Sequence, residues 1–130
     1  MTATSYCSVS MEPPSILVCV NRTATMHAML AEGADFCLNV LTERHEALSI
    51  ACGRGGSTER FSSGEWAEQD GTPYVADAQS NLFCRIERVV DHATHSIMIS
   101  RVQDVRTAED IAPLIYLDGD YLALRRLRAS

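Results

Sequence analysis

Hydroxyls crowd the opening of this chain: Thr2, Thr4, Ser5, Ser8 and Ser10 fall within its first ten residues. Their alternation and β-branched content predict a strand over Met1 to Ser10, stopped by Pro13-Pro14. Such a segment offers neutral hydrogen-bonding groups along an extended line. A second group, Asn21, Arg22, Thr23 and Thr25, follows the apolar run that begins at Ser15 and precedes a helical pattern. The run is continuous enough to predict a strand buried on both faces. A guanidinium, an amide and hydroxyls beside the free N–H groups of a helix start can hold a phosphate without lysine, and all eleven basic residues here are arginine. A hydroxyl-lined strand next to a phosphate cradle suits a flat, polar-edged heterocycle with a phosphate tail, for which a flavin is the obvious candidate.

Other residues invite chemistry and are weighed against simpler roles. Gly53-Arg-Gly-Gly-Ser-Thr58 looks like a phosphate loop but lacks both the preceding strand and the following helix with Lys-Ser/Thr, so a flexible connection is expected. His92 and His95 stand beside Asp91, yet a turn between strands scatters side chains at that spacing and no further ligand is evident, so no metal is expected. The five cysteines form no C-x-x-C pair and lie in apolar segments, as small buried residues of a reducing compartment do.

The elements that must position these groups follow from pattern. Thr23 or Thr25 caps a short helix through Met26, Met29 and Leu30, with Gly33 as its C′ residue. Asp35 to Leu41 is a strand, and Thr42 caps a second helix that ends at Gly53, with His45 and Glu46 in water. Ser62 to Gln79 is polar and turn-rich, a long loop anchored by Trp66. Leu82, Cys84 and Ile86 alternate with Phe83, Arg85 and Glu87, and Ile97 to Val105 continues the period of two, giving two long strands around a corner at Val90 to Ser96. Asp118-Gly119 between two apolar runs is a hairpin signal, with Tyr116 and Tyr121 either facing the site or packing. Arg125, Arg126 and Arg128 form a solvated basic tail.

In their order these segments resemble the flavin reductase-like family of FMN-binding split barrels, which includes the reductase components of two-component flavin-dependent monooxygenases. The resemblance is carried by Met1-Thr-Ala-Thr-Ser5, Ser8-Val-Ser10, Pro13-Pro14, Leu17-Val-Cys-Val-Asn-Arg22 and Phe36-Cys-Leu-Asn-Val-Leu41. Glu59-Arg-Phe61, Trp66, Gly71-x-Pro73, Thr94-His95 and Pro113-Leu-Ile-Tyr116 continue it. It implies an all-β fold: a Greek-key antiparallel barrel with short helices, working as a homodimer whose second subunit helps to close the flavin cleft. It also implies a further helix and one or two strands ahead of the block that Met1-Thr2-Ala3 matches, so a chain shortened there is expected to carry unpaired groups along its opening segment. Thr2, Ala3, Thr4, Ser5 and Ser8 would address the isoalloxazine, partly through backbone groups. Asn21, Arg22, Thr23 and Thr25, with Arg60 and Phe61, would lie at the phosphate, and His95 would contact the nicotinamide or its ribose. Ala93 departs from the family glycine, so a positive-φ turn there would be strained.

Bulk composition narrows the field further. One domain over residues 1–130 is expected. Hydrophobic content of 46% without a run approaching the ~20 residues of a membrane span predicts a cytoplasmic protein with no membrane partner. A net charge of −6 argues against nucleic acid. The expected activity is an NADH- or NADPH-dependent reduction of FMN, or of FAD, feeding a partner monooxygenase. The alternatives are a flavin-binding module without turnover, and a related barrel oxidase of the pyridoxine phosphate type.

Overall fold

The computed structural model describes residues 1–128. Five strands form one antiparallel sheet in the order β1 (Tyr6–Met11), β2 (Pro14–Asn21), β7 (His95–Thr107), β6 (Ser80–His92) and β3 (Asp35–Val40). Consecutive strands β2 and β3 thus flank the long β6–β7 hairpin, which is a Greek-key connection. The mostly β architecture matches expectation, and so do the two long strands. On β2 the side chains alternate: Ile16, Val18 and Val20 are buried, whereas Leu17 and Cys19 are half-buried. The apolar run is therefore not buried on both faces within its own chain. Ile16, Val18 and Val20 meet Leu30, Cys84, Ile86 and Met98 in the main core.

Several local expectations are corrected. Residues 1–5 lie outside any strand, and β1 begins only at Tyr6. Its Cys7 is exposed on this edge strand rather than buried. The segment after Arg22 is a single 3-10 turn (Thr25–Met29) that follows Ala24, with no side-chain cap from Thr23 or Thr25. Gly33 nevertheless takes the left-handed conformation, with φ 86°. Thr42 opens a 3-10 turn (Glu43–His45) that runs on into α1 (Glu46–Arg54), and the Gly55 N–H closes that helix on Ala51 O at 2.8 Å. The glycine-rich connection is the end of α1 plus a four-residue helix, α2 (Ser57–Arg60), rather than a flexible stretch.

His45 is buried, not in water. The Thr42 backbone N–H donates to its Nδ1 at 3.2 Å, which leaves the proton on Nε2, and Nε2 meets Asp77 Oδ2 at 3.0 Å. The polar stretch 62–79 holds a hairpin, β4 (Trp66–Gln69) and β5 (Thr72–Val75), turning at Asp70 and Gly71. Trp66 anchors it as expected, packing on the second core cluster of Leu48, Val75 and Ala78. Asn81 fastens this hairpin to the main sheet, donating to Asn39 Oδ1 at 2.8 Å and to Val75 O at 2.9 Å. The last hairpin is β8 (Leu114–Leu117) and β9 (Asp120–Ala123), with Asp118 and Gly119 both at positive φ as the Asp-Gly signal requires.

Candidate functional site

β2 ends where β7 begins. In register, Asn21 pairs with His95 and Val20 with Ser96, so residues far apart in sequence meet at one end of the sheet. The turn joining β6 to β7 is only Ala93-Thr94, and Ala93 takes φ 49°. A non-glycine residue there costs about 1 kcal/mol, as the departure from glycine led us to expect. Arg22 N–H donates to Thr94 O at 2.9 Å, and the guanidinium makes one long hydrogen bond, 3.4 Å, to Ala93 O. Its remaining N–H groups project outward on an exposed residue. Asn21 Oδ1 accepts from the Thr23 N–H at 2.9 Å and the Thr23 hydroxyl at 2.8 Å, which leaves the Asn21 amide NH2 as donor. Thr94 Oγ1 meets His95 Nδ1 at 2.8 Å, and among the described residues Nε2 has no hydrogen-bond partner.

This end of the sheet is a donor cluster without a carboxylate of its own among Asn21 to Thr25. The helix-start contribution is smaller than expected, because the Thr23 and Ala24 N–H groups are used within the turn, the latter on Asn21 O at 3.0 Å. Anion recognition therefore falls to side chains: Arg22, the Asn21 amide and the exposed hydroxyl of Thr25.

The opening segment is tied to β2 two residues short of this cluster. Cys19 N–H donates to Ser5 O at 2.9 Å, and Ala3 packs on the core that contains Val20. At its other end Thr2 Oγ1 donates to Ser49 O of α1 at 2.6 Å. Outside strand pairing, Ser5 O carries the segment's only backbone bond to the rest of the described chain, so residues 1–5 present unused N–H and C=O groups. Beside them opens a cleft of about 680 Å³, lined by Thr2, Thr4, Gly53, Arg54, Tyr116 and Tyr121 among others. Tyr116 and Tyr121 pack on one another at 5.2 Å on the far wall of this cleft, and Tyr121 OH donates to Ser49 Oγ at 3.0 Å.

Not every candidate joins the cluster. Ser8 is exposed on β1 opposite Ile16, five residues along β2 from Asn21, or roughly 17 Å at strand rise. Arg60 ends α2: its Nε donates to Gly55 O at 3.1 Å, and no hydrogen bond joins it to Asn21–Thr25 among the described residues. Burial lowers the Met1 ammonium below the usual α-amino range; Cys52 opposes this, and Arg60 adds to it. Phe61 stacks on Trp66 at 4.7 Å and is otherwise exposed. Among the described residues no group of three His, Cys, Asp or Glu side chains is arranged to hold a metal, and burial pushes the Cys37 and Cys84 thiols up to about 12. Ser49 and Ser96 were not foreseen as parts of this region; neither carries any local signal, since one sits mid-helix and the other closes the corner that the sequence places at Val90 to Ser96.

Three comparisons bear on this geometry. Residues 1–125 match the model of the flavin reductase like domain. The chain is 40% identical over 125 residues to the reductase component of an FADH(2)-dependent resorcinol hydroxylase from Rhizobium sp., covering 95% of this chain and 70% of that one. It is 35% identical over 127 residues to the FMN reductase (NADH) RutF of Cronobacter turicensis, covering 96% and 76% respectively. The NADH:FAD oxidoreductase SgcE6 of Streptomyces globisporus, solved with NAD and FAD fragments, superposes with a TM-score of 0.84 at 27% identity, covering 97% of this chain and 75% of that one.

Proposed function

The chain belongs to the flavin reductase-like family, and from that premise we propose that it reduces FMN with NADH and passes the reduced flavin to a monooxygenase. The observation that carries this is the end of the sheet where the Asn21–Arg22 donors stand beside His95, directly opposite Asn21, with the opening segment tied to Cys19 two residues away. The relatives support NADH as the donor and a flavin as the acceptor, one being an NADH-dependent FMN reductase and another an NADH:FAD oxidoreductase. Use of FAD or NADPH is the narrower question that kinetics would settle.

Bound flavin and nicotinamide would supply the redox chemistry, hydride transfer between two stacked rings, for which the protein need provide no acid or base. What this chain provides is placement. Thr2, Ala3, Thr4 and Ser5 address the polar edge of the isoalloxazine, largely through backbone groups that no strand consumes. Asn21, Arg22 and Thr25 receive the phosphate, while Thr23, whose N–H and hydroxyl are both spent on Asn21 Oδ1, orients the Asn21 amide instead. Arg60, Phe61 and Ser8 stand apart from these donors and take no part in this assignment, and His95 offers its free Nε2 to the nicotinamide side.

Steady-state NADH oxidation with added FMN tests the assignment, with the His95→Ala variant alongside. Turnover by the parent, and a raised KM for NADH with FMN affinity little changed in the variant, is the expected pattern. A tight yellow protein without turnover would instead make the chain a flavin-binding module, and unaltered variant kinetics would take His95 out of the site.

A homodimer is part of the proposal. Leu17 and Cys19 of β2 lie against Ile99 and Ile97 of β7 on the sheet face away from the core, and all four are only half-buried in one chain. A second copy would cover this apolar band. Light scattering should give the mass of two chains for the parent and of one for Ile97→Arg; a monomeric parent would refute the dimer. No helix among the described residues is long and apolar enough to cross a membrane. The five free thiols fit a reducing compartment, so a cytoplasmic location completes the proposal, with cell fractionation as its check.

A further inference from the structure

Between Asn21 and Leu30 the backbone leaves the sheet, carrying Arg22, Thr23 and Thr25 with it. Beside the packing of Ala24, Met26 and Leu30 on the core, two hydrogen bonds hold this excursion down. One is the Arg22 N–H on Thr94 O already noted. The other is made by His27, whose Nε2 meets Ser96 Oγ at 2.8 Å; that hydroxyl donates in turn to Asp91 Oδ1 at 2.5 Å. Because the single hydroxyl hydrogen of Ser96 goes to the carboxylate, its oxygen must accept from His27, which places the imidazole proton on Nε2.

A histidine, a serine and an aspartate in hydrogen-bonded series invite comparison with a hydrolytic triad. The order excludes it. There the histidine stands between the other two and takes the serine proton, whereas here serine is central and gives its proton to aspartate. Ser96 is also fully buried, beyond the reach of any substrate.

What the series does is mechanical. Ser96 pairs with Val20 on one side and Asp91 on the other, and its neighbour His95 pairs with Asn21 and His92. His27 therefore reaches from the middle of the excursion to the residue adjacent to His95. We infer that His27, acting through Ser96 and Asp91, is a positioning residue that fixes the Arg22–Thr25 donors at the spacing from His95 that a flavin phosphate requires. This deepens the proposed function and rests on it. The physical reason is that Arg22 and Thr25 are exposed and are otherwise held only by the core packing of Ala24 and Met26 between and beside them, so loss of the His27 tie would widen their motion and add an ordering cost to each phosphate contact.

The test compares FMN with riboflavin, which share the ring and differ in the phosphate. Dissociation constants for both, by quenching of flavin fluorescence, are measured on the parent, Arg22→Ala, His27→Ala, His27→Gln and Ser96→Ala. His27→Ala is expected to weaken FMN by about tenfold, the worth of one positioned hydrogen bond, with riboflavin largely unchanged. His27→Gln, whose amide N–H can stand where Nε2–H stands, should recover most of the loss. Ser96→Ala should repeat the selective defect, which keeps the test alive if His27→Ala fails to fold. Turnover at saturating FMN should stay near the parent value in His27→Ala while KM for FMN rises. Equal weakening of both flavins by His27→Ala and Ser96→Ala, tracking a fall in melting temperature, would overturn the inference and leave a structural brace. If Arg22→Ala is selective for FMN but His27→Ala and Ser96→Ala are not, this inference alone fails. If the parent itself does not prefer FMN and Arg22→Ala changes neither flavin, the phosphate assignment fails first and takes the inference with it.

Discussion

Replacing Arg22 by alanine should cost FMN binding ~1.5 to 3 kcal/mol, the range of a charge-assisted hydrogen bond, and leave riboflavin nearly untouched. The geometry explains both halves of that expectation. The guanidinium is exposed and committed only to one long contact with Ala93 O, so its removal disturbs little of the fold. The backbone N–H on Thr94 O survives the substitution and keeps β2 and the β6–β7 turn together. What disappears is the one formal positive charge among the donors of the Asn21–Thr25 cluster, in a chain of net charge −6 that otherwise repels a phosphate. Because part of this attraction is electrostatic and solvent-exposed, the FMN preference should also shrink as salt is raised. Titrating both flavins against parent and variant checks this, and equal weakening of the two would place Arg22 elsewhere.

The second large effect concerns stability. His45→Ala should destabilise the fold by about 2 to 3 kcal/mol, because it strands the Thr42 N–H and the Asp77 carboxylate in a largely buried place. Asp77 Oδ1 is already buried without a partner, so the carboxylate depends on His45 for its remaining contact. Burial alone would push the Asp77 carboxyl up, but the His45 hydrogen bond, with smaller help from its own backbone and Arg44, brings it below its ordinary 3.8. A carboxyl whose folded pKa lies below its unfolded one stabilises the fold above the unfolded value. That contribution is lost as pH falls through the folded value, here below about pH 4. Asp77→Asn should therefore be less stable at neutral pH and show a shallower loss of stability in acid. Urea unfolding of parent and variant across that range measures it; parallel curves would mean the pair carries no linkage.

How much of this was open to a reader of the sequence depends on how local each signal was. The period-two runs of β6 and β7 and the Asp118-Gly119 hairpin are local patterns, and both were legible. The positive φ of Ala93 was open only through the resemblance, whose glycine it replaces. His45 was not legible, because a histidine beside Glu46 at a helix start looks solvated, and only Asp77, brought over from the β5–β6 connection, buries it. The β4–β5 hairpin was missed although Asp70-Gly71 announces a turn, since Pro73 and the surrounding polar residues obscure the short strands on either side. The opening segment has strand-like composition but, in the described chain, no partner along residues 1–4, and composition without a ladder does not make a strand. At the site, the Asn21–Arg22 donors could be read from residue type. Their junction with His95 and Ser96 is a fact of β2–β7 register that no local pattern carries.

The central claim is that a phosphorylated isoalloxazine lies along Thr2 to Ser5, with its tail at Asn21–Arg22 and a nicotinamide brought against it from the His95 side. Its most direct test is to saturate the protein with FMN without oxygen and then add NADH, following the yellow absorbance. Rapid bleaching in the presence of the protein, slowed in His95→Ala and demanding more FMN in Arg22→Ala, is the predicted result. Flavin that binds and stays yellow, or that bleaches no faster than FMN and NADH alone, would contradict it.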